Sequence, residues 1–564
     1  MAPSKIKLLV LVMAMAVSTR LLYFLDFQHN ILFDQINLTS DSYAIDLGAK
    51  SFASGDILIQ FPASHVSPLY TYFVGIIYKI GGISLTNVWI VQFFLGILTV
   101  LLILLIAFEL FNARSAIFAA ILYNFYGPAL MYEGVLLRAS FITFLGTLSL
   151  YLLVQAQKNP NLFFLTCTGI SIALFIQCRP NVVLILFFLP MMFYFARNRE
   201  GMVLFTKISG IAFLSSIPLL IRGWMVHEKL IFFSGSGPAT LLVGNHPDYI
   251  GYGLTLTGLS GTSFTKEIVD PNGPIISWNE FIPIFLSRLI NQPMEFVALY
   301  IRKVYFFFCS REPYNNYDFL LFKKFSLLLN TPFCNFTLIS SLALAGLVMN
   351  LGKGRDLSAL YSYKLGSALA VILVLVLSRY RMPAVPFYAI FAGFSLDSII
   401  RSFEKDDWMK SVRILLLTLL LLLILNIPAF NRGLTQEYTN EIYYRIGKKL
   451  VAAKRYSEAI EPLKKYLKSA PNNTRAQQYL GFTYWKNKDL KKALSTYKSI
   501  SSNNPGNAEV HFDLATLYVS LGKKNKALFH MKYAERLFLK KNNLKSARLA
   551  HQQISLIQKN VYDK

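Results

Sequence analysis

Long apolar stretches separated by short polar turns make up most of the first 430 residues of the chain. A helix needs about 20 mostly apolar residues to cross the hydrocarbon core of a bilayer. The pattern therefore predicts about eleven membrane spans and two long polar insertions, at 26–86 and 223–332. The predicted spans are residues 6–25, 87–108, 114–131, 134–155, 161–178, 181–197, 203–222, 333–351, 361–378, 384–400 and 412–428.

Positive residues are concentrated in one set of the short loops between these spans. An excess of Lys and Arg marks the cytoplasmic side of a membrane protein, so the bias predicts a cytoplasmic N-terminus. It also places both long insertions and the C-terminal region outside the cytoplasm. The loops assigned to the inner side contain Lys5 and Lys7, Arg114, Lys158, Arg197, Arg199 and Lys207, Lys353, Arg355 and Lys364, and Arg401, Lys405, Lys410 and Arg413.

Beyond residue 430 the pattern changes to a repeat with a period of 34 residues. Each unit predicts two helices, with small residues where the helices cross and a proline after the second helix. The period is typical of the tetratricopeptide repeat, so we expect an α-solenoid over 431–564. Its predicted repeats are 440–473, 474–507 and 508–541, followed by a capping helix to 564. The repeating residues are Gly447, Gly481 and Ala515, Ala459, Ala493 and Ala527, and Pro471 and Pro505.

Composition adds two constraints to this division into 1–430 and 431–564. A chain of 564 residues with 54% hydrophobic content exposes apolar surface that only lipid can cover. The repeat region holds 26 Lys and Arg against 9 Asp and Glu, a net charge of +17. This charge would attract anionic lipid headgroups or an acidic partner, or it is simply a solvated lysine-rich face. We expect no nucleic-acid partner.

The concave face of a helical solenoid is a common binding surface. Two interpretations of the repeats stay open: a rigid spacer, or a platform that holds the acceptor or another partner. Four cysteines are too few for a disulfide scaffold, although Cys309 and Cys334 could pair.

Ionisable residues at a membrane boundary are energetically costly and are therefore candidates for function. Under the predicted orientation, most of them face the extracytoplasmic side. A carboxylate facing several arginines suits transfer from a lipid-linked phosphate, because the arginines hold the phosphate while the carboxylate accepts a proton. The carboxylate could instead bind a divalent cation such as Mg²⁺ or Mn²⁺. The candidates are Asp41, Asp46, Glu133, Arg138, Arg179, Arg222, Asn245, His246, Lys303, Glu312, Asp318, Arg379 and Arg381.

Seven short motifs follow one another in this region. They are residues 40–46 (SDSYAID), 67–70 (SPLY), 132–138 (YEGVLLR), 179–181 (RPN), 243–247 (VGNHP), 312–318 (EPYNNYD) and 379–383 (RYRMP). Their order and spacing over residues 6–430 resemble the membrane-embedded GT-C glycosyltransferases. The similar branch is the bacterial one related to protein O-mannosyltransferases and lipid A aminoarabinose transferases. Many relatives carry an Asp-Glu pair where this chain has the single Asp41, and Asn where it has Gly223.

The resemblance implies transfer of a sugar from a polyprenyl-phosphate donor, with inversion, at the outer face of a bacterial inner membrane. Asp41 would be the catalytic base or a metal ligand, and its alternative is a helix N-cap. The donor phosphate would be held by Arg379, Arg381, Arg179 and Lys303, and the substrate would be contacted by Glu133, Arg138, Asn245 and Glu312. The alternatives are headgroup contacts for the arginines and fold-stabilising pairs for the glutamates.

Two other classes of function remain as alternatives. A transporter or flippase would distribute its charged residues through the membrane, whereas here they gather on one side. A non-catalytic scaffold presenting the repeats would need only one or two spans. The identities of the sugar and of the acceptor, whether protein, lipid or glycan, stay open.

Overall fold

The computed structural model describes residues 3–27, 41–60, 67–227, 237–246, 249, 269–270, 273–274, 278–310, 312–313, 317, 319–331, 334–349, 357–427 and 434–559. It divides into two compact units, Met1–Ile427 and Pro428–Lys564. Regular structure in the described part is helical, apart from the two-residue strands Val269–Asp270 and Gly273–Pro274 and one isolated bridge. The predicted all-α class is confirmed.

The first unit contains nineteen α-helices within the described residues. They are α1 Pro3–Phe27, α2 Asp41–Ala53, α3 Pro68–Gly81, α4 Leu85–Leu110, α5 Ala113–Asn124, α6 Gly127–Glu133, α7 Ala139–Lys158, α8 Leu162–Cys178, α9 Leu184–His227, α10 Gly237–Gly244, α11 Trp278–Asn291, α12 Pro293–Phe308, α13 Phe319–Lys323, α14 Leu327–Asn330, α15 Phe336–Met349, α16 Ser358–Ile372, α17 Ser378–Arg381, α18 Val385–Glu404 and α19 Trp408–Leu425.

Six helical segments among the described residues are long and apolar enough to cross a membrane, namely Ile6–Phe27, Leu85–Leu110, Ala139–Lys158, Arg199–Val226, Ser378–Glu404 and Trp408–Leu425. Shorter apolar helices accompany them. On α19, Leu416 and Leu423 are 60% and 63% exposed, an arrangement that lipid stabilises and water does not. The chain is a multi-pass membrane protein, and the count of eleven spans stays a prediction.

The helical backbone departs from the predicted layout in two places. The span expected at 203–222, and all but the first three residues of the span expected at 181–197, fall within α9. A Cβ on Gly201 would clash with the carbonyl oxygen of Phe193, so α9 bends back sharply here instead of running straight. The two polar insertions also contain helices, because each has an apolar face to bury: Ile45 and Ala49 of α2 are almost fully buried.

The second unit consists of three helical hairpins and a last helix. The hairpins pair α20 Leu434–Ala452 with α21 Tyr456–Ser469, α22 Thr474–Lys486 with α23 Leu490–Asn503, and α24 Ala508–Ser520 with α25 Lys524–Lys540; α26 Leu544–Gln558 follows. A Cβ on Gly447 would lie 2.5 Å from Leu463 Cγ, which explains the small residue at the first crossing. Ala459, Ala493 and Ala527 are fully buried.

None of the four cysteines forms a disulfide in the described structure. The disulfide considered for Cys309 and Cys334 does not form. Cys309 is buried at the end of α12, and Cys334 forms a backbone bridge with Tyr126.

Candidate functional site

The one-turn helix α17 organises the candidate site. Its first residue, Ser378, donates its backbone N–H to the carbonyl of Pro313 at 2.9 Å, which ties α17 to the second insertion. Successive residues of a helix point about 100° apart. Arg379, Tyr380 and Arg381 therefore leave this single turn in three different directions and enter different surroundings.

Arg379 faces the start of α2. Its Nη1 lies 2.5 Å from Oδ2 of Asp41, the first residue of that helix. A carboxylate is favoured at this end of a helix by the macrodipole. The two side chains are 11% and 37% exposed, so the pair is accessible on the Asp41 side. The structure thus joins two residues that lie 338 positions apart in the sequence.

Arg179 lies next to Arg379 across the ring of Tyr380. The Arg179 guanidinium is 3.7 Å from the ring centroid and that of Arg379 is 5.2 Å away. Arg179 Nη1 donates to the carbonyl of Arg379 at 3.2 Å, and its Nε donates to Asn181 at 2.8 Å. Burial lowers the pKa of Arg179 to about 9, and the like charges of Arg138 and Arg379 contribute. Arg179 is still a cation at neutral pH.

Two nitrogen atoms of this cluster have unused hydrogen-bonding capacity. Nη2 of Arg179 and Nε of Arg379 are buried and have no hydrogen-bond partner among the described residues. A buried donor without an acceptor is costly, and native proteins rarely retain one without a functional reason. Arg138, Arg179 and Arg379 all act electrostatically on Tyr380, and among the described residues Asp41 is the carboxylate that does so. The described cluster therefore suits an anion.

Arg381 has the opposite environment. It is 1% exposed, and its Nη2 lies 2.6 Å from Oε2 of Glu312. Its Nη1 donates to the carbonyls of Phe307 and Cys309, both at 3.0 Å. The Tyr126 hydroxyl donates to the other oxygen of Glu312 at 2.7 Å. This closed network fixes the end of α12 and gives a phosphate no access to Arg381.

Lys303 and Asn245 form a separate buried cluster. The Lys303 Nζ donates to Asn245 Oδ1 at 3.1 Å and to the carbonyl of Val374 at 3.2 Å. The Tyr300 hydroxyl donates to the same Asn245 oxygen at 2.9 Å. Lys303 is fully buried, and burial lowers its pKa to about 7. Neither predicted residue contacts Asp41 or the cluster around Tyr380 in the described structure.

Glu133 also lies apart from the arginine cluster. Its carboxylate is bound through two bonds to Arg20 of α1, at 2.8 and 3.0 Å, and both residues are almost fully buried. Arg20 also donates to Asn124. Glu133 thus forms a fold-stabilising pair, one of the alternatives that the sequence left open, while the nearby Arg138 donates to the carbonyl of Cys178 at 3.4 Å.

Sequence reasoning missed two residues of the site, Tyr380 and Tyr317. Tyr380 holds the two guanidinium groups of Arg179 and Arg379 on its ring, and the signal was its position inside the RYR motif. The hydroxyl of Tyr317 lies 3.0 Å from the hydroxyl of Ser42, beside Asp41. No sequence pattern connects Tyr317 with α2, since the contact spans 275 residues.

The donor set around Asp41 does not fit a divalent cation. In the described ranges, no three His, Cys, Asp or Glu side chains lie together as a metal-binding group. Among the described residues, Asp41 forms its ion pair with Arg379, and Glu133 and Glu312 are engaged in their own ion pairs. Hard cations such as Mg²⁺ require several oxygen ligands. We therefore derive no step through a metal ion.

Comparison with known proteins supports the sequence-based resemblance. Residues 65–221 match the family described as dolichyl-phosphate-mannose-protein mannosyltransferase, and residues 450–511 match the tetratricopeptide repeat. The resemblance to GT-C glycosyltransferases with a tetratricopeptide domain is confirmed. The mannosyltransferase match includes Glu133, Arg138 and Arg179, whereas Asp41 and Arg379 lie outside it. No curated protein matches the chain.

Solved structures with low similarity include two membrane transferases. One is the oligosaccharyltransferase AglB of Archaeoglobus fulgidus with an inhibitory peptide and dolichol-phosphate, at 14% identity and a TM-score of 0.42, covering 81% of this chain and 59% of that one. The other is ArnT of Cupriavidus metallidurans bound to undecaprenyl phosphate, at 13% identity and a TM-score of 0.37, covering 97% and 77%. The chain spans about three fifths of the length of the archaeal enzyme.

Proposed function

We propose that this protein transfers a sugar from a polyprenyl-phosphate carrier to an acceptor hydroxyl at the extracytoplasmic face of the membrane. The observation that carries the proposal is the pair of buried, unpartnered guanidinium nitrogens on Arg179 and Arg379 beside the accessible carboxylate of Asp41. The match of residues 65–221 to a family that uses a dolichyl-phosphate sugar supports the same class of donor.

The charge of the cluster fits the charge of the expected leaving group. Arg138, Arg179 and Arg379 provide three positive charges against the one negative charge of Asp41. A carrier-linked sugar phosphodiester has one negative charge, and the carrier phosphate that leaves has up to two. Donors placed where charge develops stabilise the transition state more than the ground state. The arginines would thus favour departure of the phosphate.

The reaction is proposed as a single displacement. The acceptor oxygen attacks the anomeric carbon, and the bond between that carbon and the phosphate oxygen breaks. The electron pair stays on the carrier phosphate, which Arg179 and Arg379 bind. The hydroxyl proton passes to Asp41 and then to water. Attack opposite the leaving group inverts the anomeric carbon.

Asp41 must change partner before it acts. Its Oδ2 is bound by Arg379, while half-buried Arg379 has an unused donor on Nε. We infer that the donor phosphate attracts Arg379 and releases Asp41 for the acceptor hydroxyl. Donor binding would then precede proton transfer. Arg381, Lys303, Glu133, Asn245 and Glu312 are left out of this proposed site, because each is held in a buried network of its own.

Binding of undecaprenyl phosphate to the purified protein in nanodiscs tests the phosphate site. Arg379→Ala should weaken binding about tenfold or more, since a charge-assisted contact to phosphate is lost. Arg302→Ala is the matched control, because the hydrogen bond that the described structure gives its guanidinium goes to the carbonyl of Ala298 one turn back. Equal affinities for wild type and Arg379→Ala would contradict the phosphate assignment.

Transfer from radiolabelled undecaprenyl-phosphate sugars to envelopes lacking the protein tests the base. Asp41→Asn should keep carrier binding and lose transfer by about a thousandfold, since the amide accepts no proton at neutral pH. Asp46→Asn is a useful control, because Asp46 is bound to Lys50 and Tyr78 within α2 and α3. Undiminished transfer by Asp41→Asn would rule out Asp41 as the base.

The site's location outside the cytoplasm is also part of the proposal, and loop charges support it. A cysteine introduced by Lys564→Cys, with the four native cysteines replaced, reports the side of the C-terminus. Labelling by a membrane-impermeant maleimide in intact cells is expected. Labelling only after the membrane is opened would reverse the proposed orientation.

A further inference from the structure

The last hairpin and the helix that follows it expose apolar side chains that the earlier hairpins do not. Among the described residues of the second unit, the exposed large apolar side chains all lie between residues 529 and 549. Phe529 is 65% exposed and Leu544 is 54% exposed, close to the values for the leucines of α19 that face lipid. The full set is Phe529, Tyr533, Leu539, Leu544 and Leu549.

Positive charge is concentrated in the same stretch of the unit. Residues 523–559 contain ten Lys and Arg against one acidic residue, a net charge of +9. The longer stretch 434–522 contains 14 against 7, a net charge of +7. All ten cations of 523–559 are exposed, whereas the one carboxylate, that of Glu535, is bound to His551 at 2.8 Å. Exposed charge and exposed apolar area therefore coincide at the C-terminal end of the unit.

The helical period brings both kinds of side chain onto the outer face of α25. Its inner face buries Ala527, Met531, Ala534 and Phe538. Residues three and four positions apart lie on the same side of a helix. The outer face therefore carries, in order, Lys526, Phe529, Tyr533, Arg536 and Lys540, all of them exposed. The rings of Phe529 and Tyr533 are nearly parallel, with centroids 6.4 Å apart, and basic residues flank them at both ends.

The last helix continues this surface. α26 packs against α25 through a face that buries Ala547, Ala550, Ile554 and Ile557. The opposite side of α26 exposes Leu544, Lys545, Arg548 and Leu549. We call the five exposed apolar side chains and the ten cations of residues 523–559 the terminal surface. None of its residues takes part in the proposed transfer.

An anionic lipid bilayer matches both features of the terminal surface. Phe and Leu side chains among lysines are typical of helices that lie on a membrane, with the apolar groups at the boundary between headgroups and acyl chains. Long Lys and Arg side chains extend from beside them to the lipid phosphates. Tyrosine is favoured at the same level, because its ring is apolar and its hydroxyl is polar. An acidic protein would also attract the cations, but a bilayer is always available at high effective concentration, since the same chain is anchored in one.

We propose that the terminal surface of the repeat unit docks on an anionic lipid bilayer. Phe529, Leu544 and Leu549 enter the headgroup boundary, while the surrounding cations contact lipid phosphates. Electrostatic attraction to the surface extends over about one Debye length, roughly 8–10 Å at physiological ionic strength, so docking should weaken as salt is added. The interaction does not depend on the proposed sugar transfer. It gives the repeats a role beyond that of a spacer or of a platform for the acceptor.

Flotation with lipid vesicles tests the proposal. The full-length protein in nanodiscs of phosphatidylcholine, a neutral lipid, is mixed with larger vesicles that contain about one third phosphatidylglycerol, an anionic lipid. It should bind these vesicles about tenfold more tightly than vesicles of phosphatidylcholine alone. The variant Phe529→Ser/Leu549→Ser keeps the charge and should lower the affinity for anionic vesicles about tenfold, because less apolar area is buried.

A charge variant and its matched control locate the binding surface. Lys526→Gln/Lys540→Gln removes two charges from the outer face of α25 and should lower the affinity for anionic vesicles about tenfold. Lys464→Gln/Lys492→Gln removes the same charge from α21 and α23 and should leave the affinity within about twofold.

Lysine acetylation of the wild-type protein in the same mixtures, read by mass spectrometry, needs no substitution. Lys526 and Lys540 should react more slowly with anionic vesicles present than with neutral ones. Lys464 should react equally in both mixtures. Uniform acetylation rates in the two mixtures would contradict docking through this surface.

Three flotation results would also overturn the proposal. One is equal binding to anionic and neutral vesicles. Another is an equal loss in the charge variant and its control, which would indicate attraction by the overall charge of the unit. The third is unchanged binding by Phe529→Ser/Leu549→Ser with displacement by a soluble Glu-rich peptide, which would indicate an acidic protein partner. Because carrier binding and sugar transfer are measured separately, failure here leaves the proposed transfer unaffected.

Discussion

Arg379 and Arg381 leave the same turn of α17, yet one enters an accessible cluster and the other a closed one. Arg379 faces an accessible carboxylate and lies beside Arg179, whose Nη2 is buried and unpartnered among the described residues. Arg381 is almost fully buried with Glu312 and two backbone carbonyls, and Glu312 is further bound by Tyr126. Two residues of identical chemistry thus have different structural roles.

The difference shows how a site is distinguished from a structural ion pair. Removing charges from water is costly, so a buried pair persists only where further hydrogen bonds satisfy both partners. Arg381 uses groups of the protein itself for its ion pair and two further hydrogen bonds, although its Nε, like the Nε of Arg379, makes no hydrogen bond among the described residues. An unused Nε therefore does not separate the two arginines. They differ in access: the Asp41 partner of Arg379 is 37% exposed, whereas Arg381 and Glu312 are buried, so only Arg379 can be reached by a ligand anion.

The largest expected effect is on stability and comes from the closed pair. Arg381→Ala leaves Glu312 as an uncompensated buried charge and should lower the free energy of unfolding by about 3–5 kcal/mol. Thermal unfolding in detergent measures the change. The double variant Arg381→Met/Glu312→Leu should recover a large part of the loss. A destabilisation below about 1 kcal/mol for Arg381→Ala would show that the pair is not structural.

The same substitution at the neighbouring arginine should affect chemistry instead. Arg379→Ala should slow sugar transfer about a hundredfold, equivalent to about 2.7 kcal/mol, because a cation near the leaving phosphate is lost. The melting temperature should change little, since accessible ion pairs contribute about 1 kcal/mol or less. A large loss of stability without a specific loss of turnover would place Arg379 in the same class as Arg381.

Much of the fold follows directly from the sequence. The apolar runs predicted helices such as α4 and α7, and the 34-residue period predicted the hairpins, because each pattern is local. The bend of α9 was harder to predict from the sequence. The sequence predicted a turn between two spans, but helical hydrogen bonding continues through this region.

The site was only partly predictable. The sequence selected Asp41, Arg179 and Arg379, which the structure brings close together, but could not separate Arg379 from Arg381, because that depends on the direction of each side chain. The sequence also could not predict the partner of Glu133, because Arg20 lies on a helix 113 residues earlier. Charge and the expected membrane side can be predicted from a sequence, whereas exposure and the partners of a side chain are tertiary properties.

Lys303 differs from both Arg379 and Arg381. It is a buried cation whose described contacts include no carboxylate. Its folded-state pKa of about 7 lies below the ordinary lysine value, so protonation opposes folding. This penalty grows as the pH falls from about 10 to 7 and is constant below that. Lys303→Met should therefore stabilise the protein by roughly 2 kcal/mol at pH 7, and the gain should vanish near pH 10. If Lys303→Met instead lowered the affinity for undecaprenyl phosphate tenfold, Lys303 would belong to the phosphate site.

The smallest expected effect is the energetic coupling between Asp41 and Arg379. A double-mutant cycle with Asp41→Asn and Arg379→Ala should give a coupling in the free energy of unfolding of about 0.5 kcal/mol, as for other accessible pairs. The equivalent cycle for Glu312 and Arg381 should give several times more, because both partners are buried. If the two couplings were equal, the Asp41–Arg379 contact would be structural. Weak coupling is what the proposed exchange requires, since donor phosphate must detach Arg379 from Asp41 at low energetic cost.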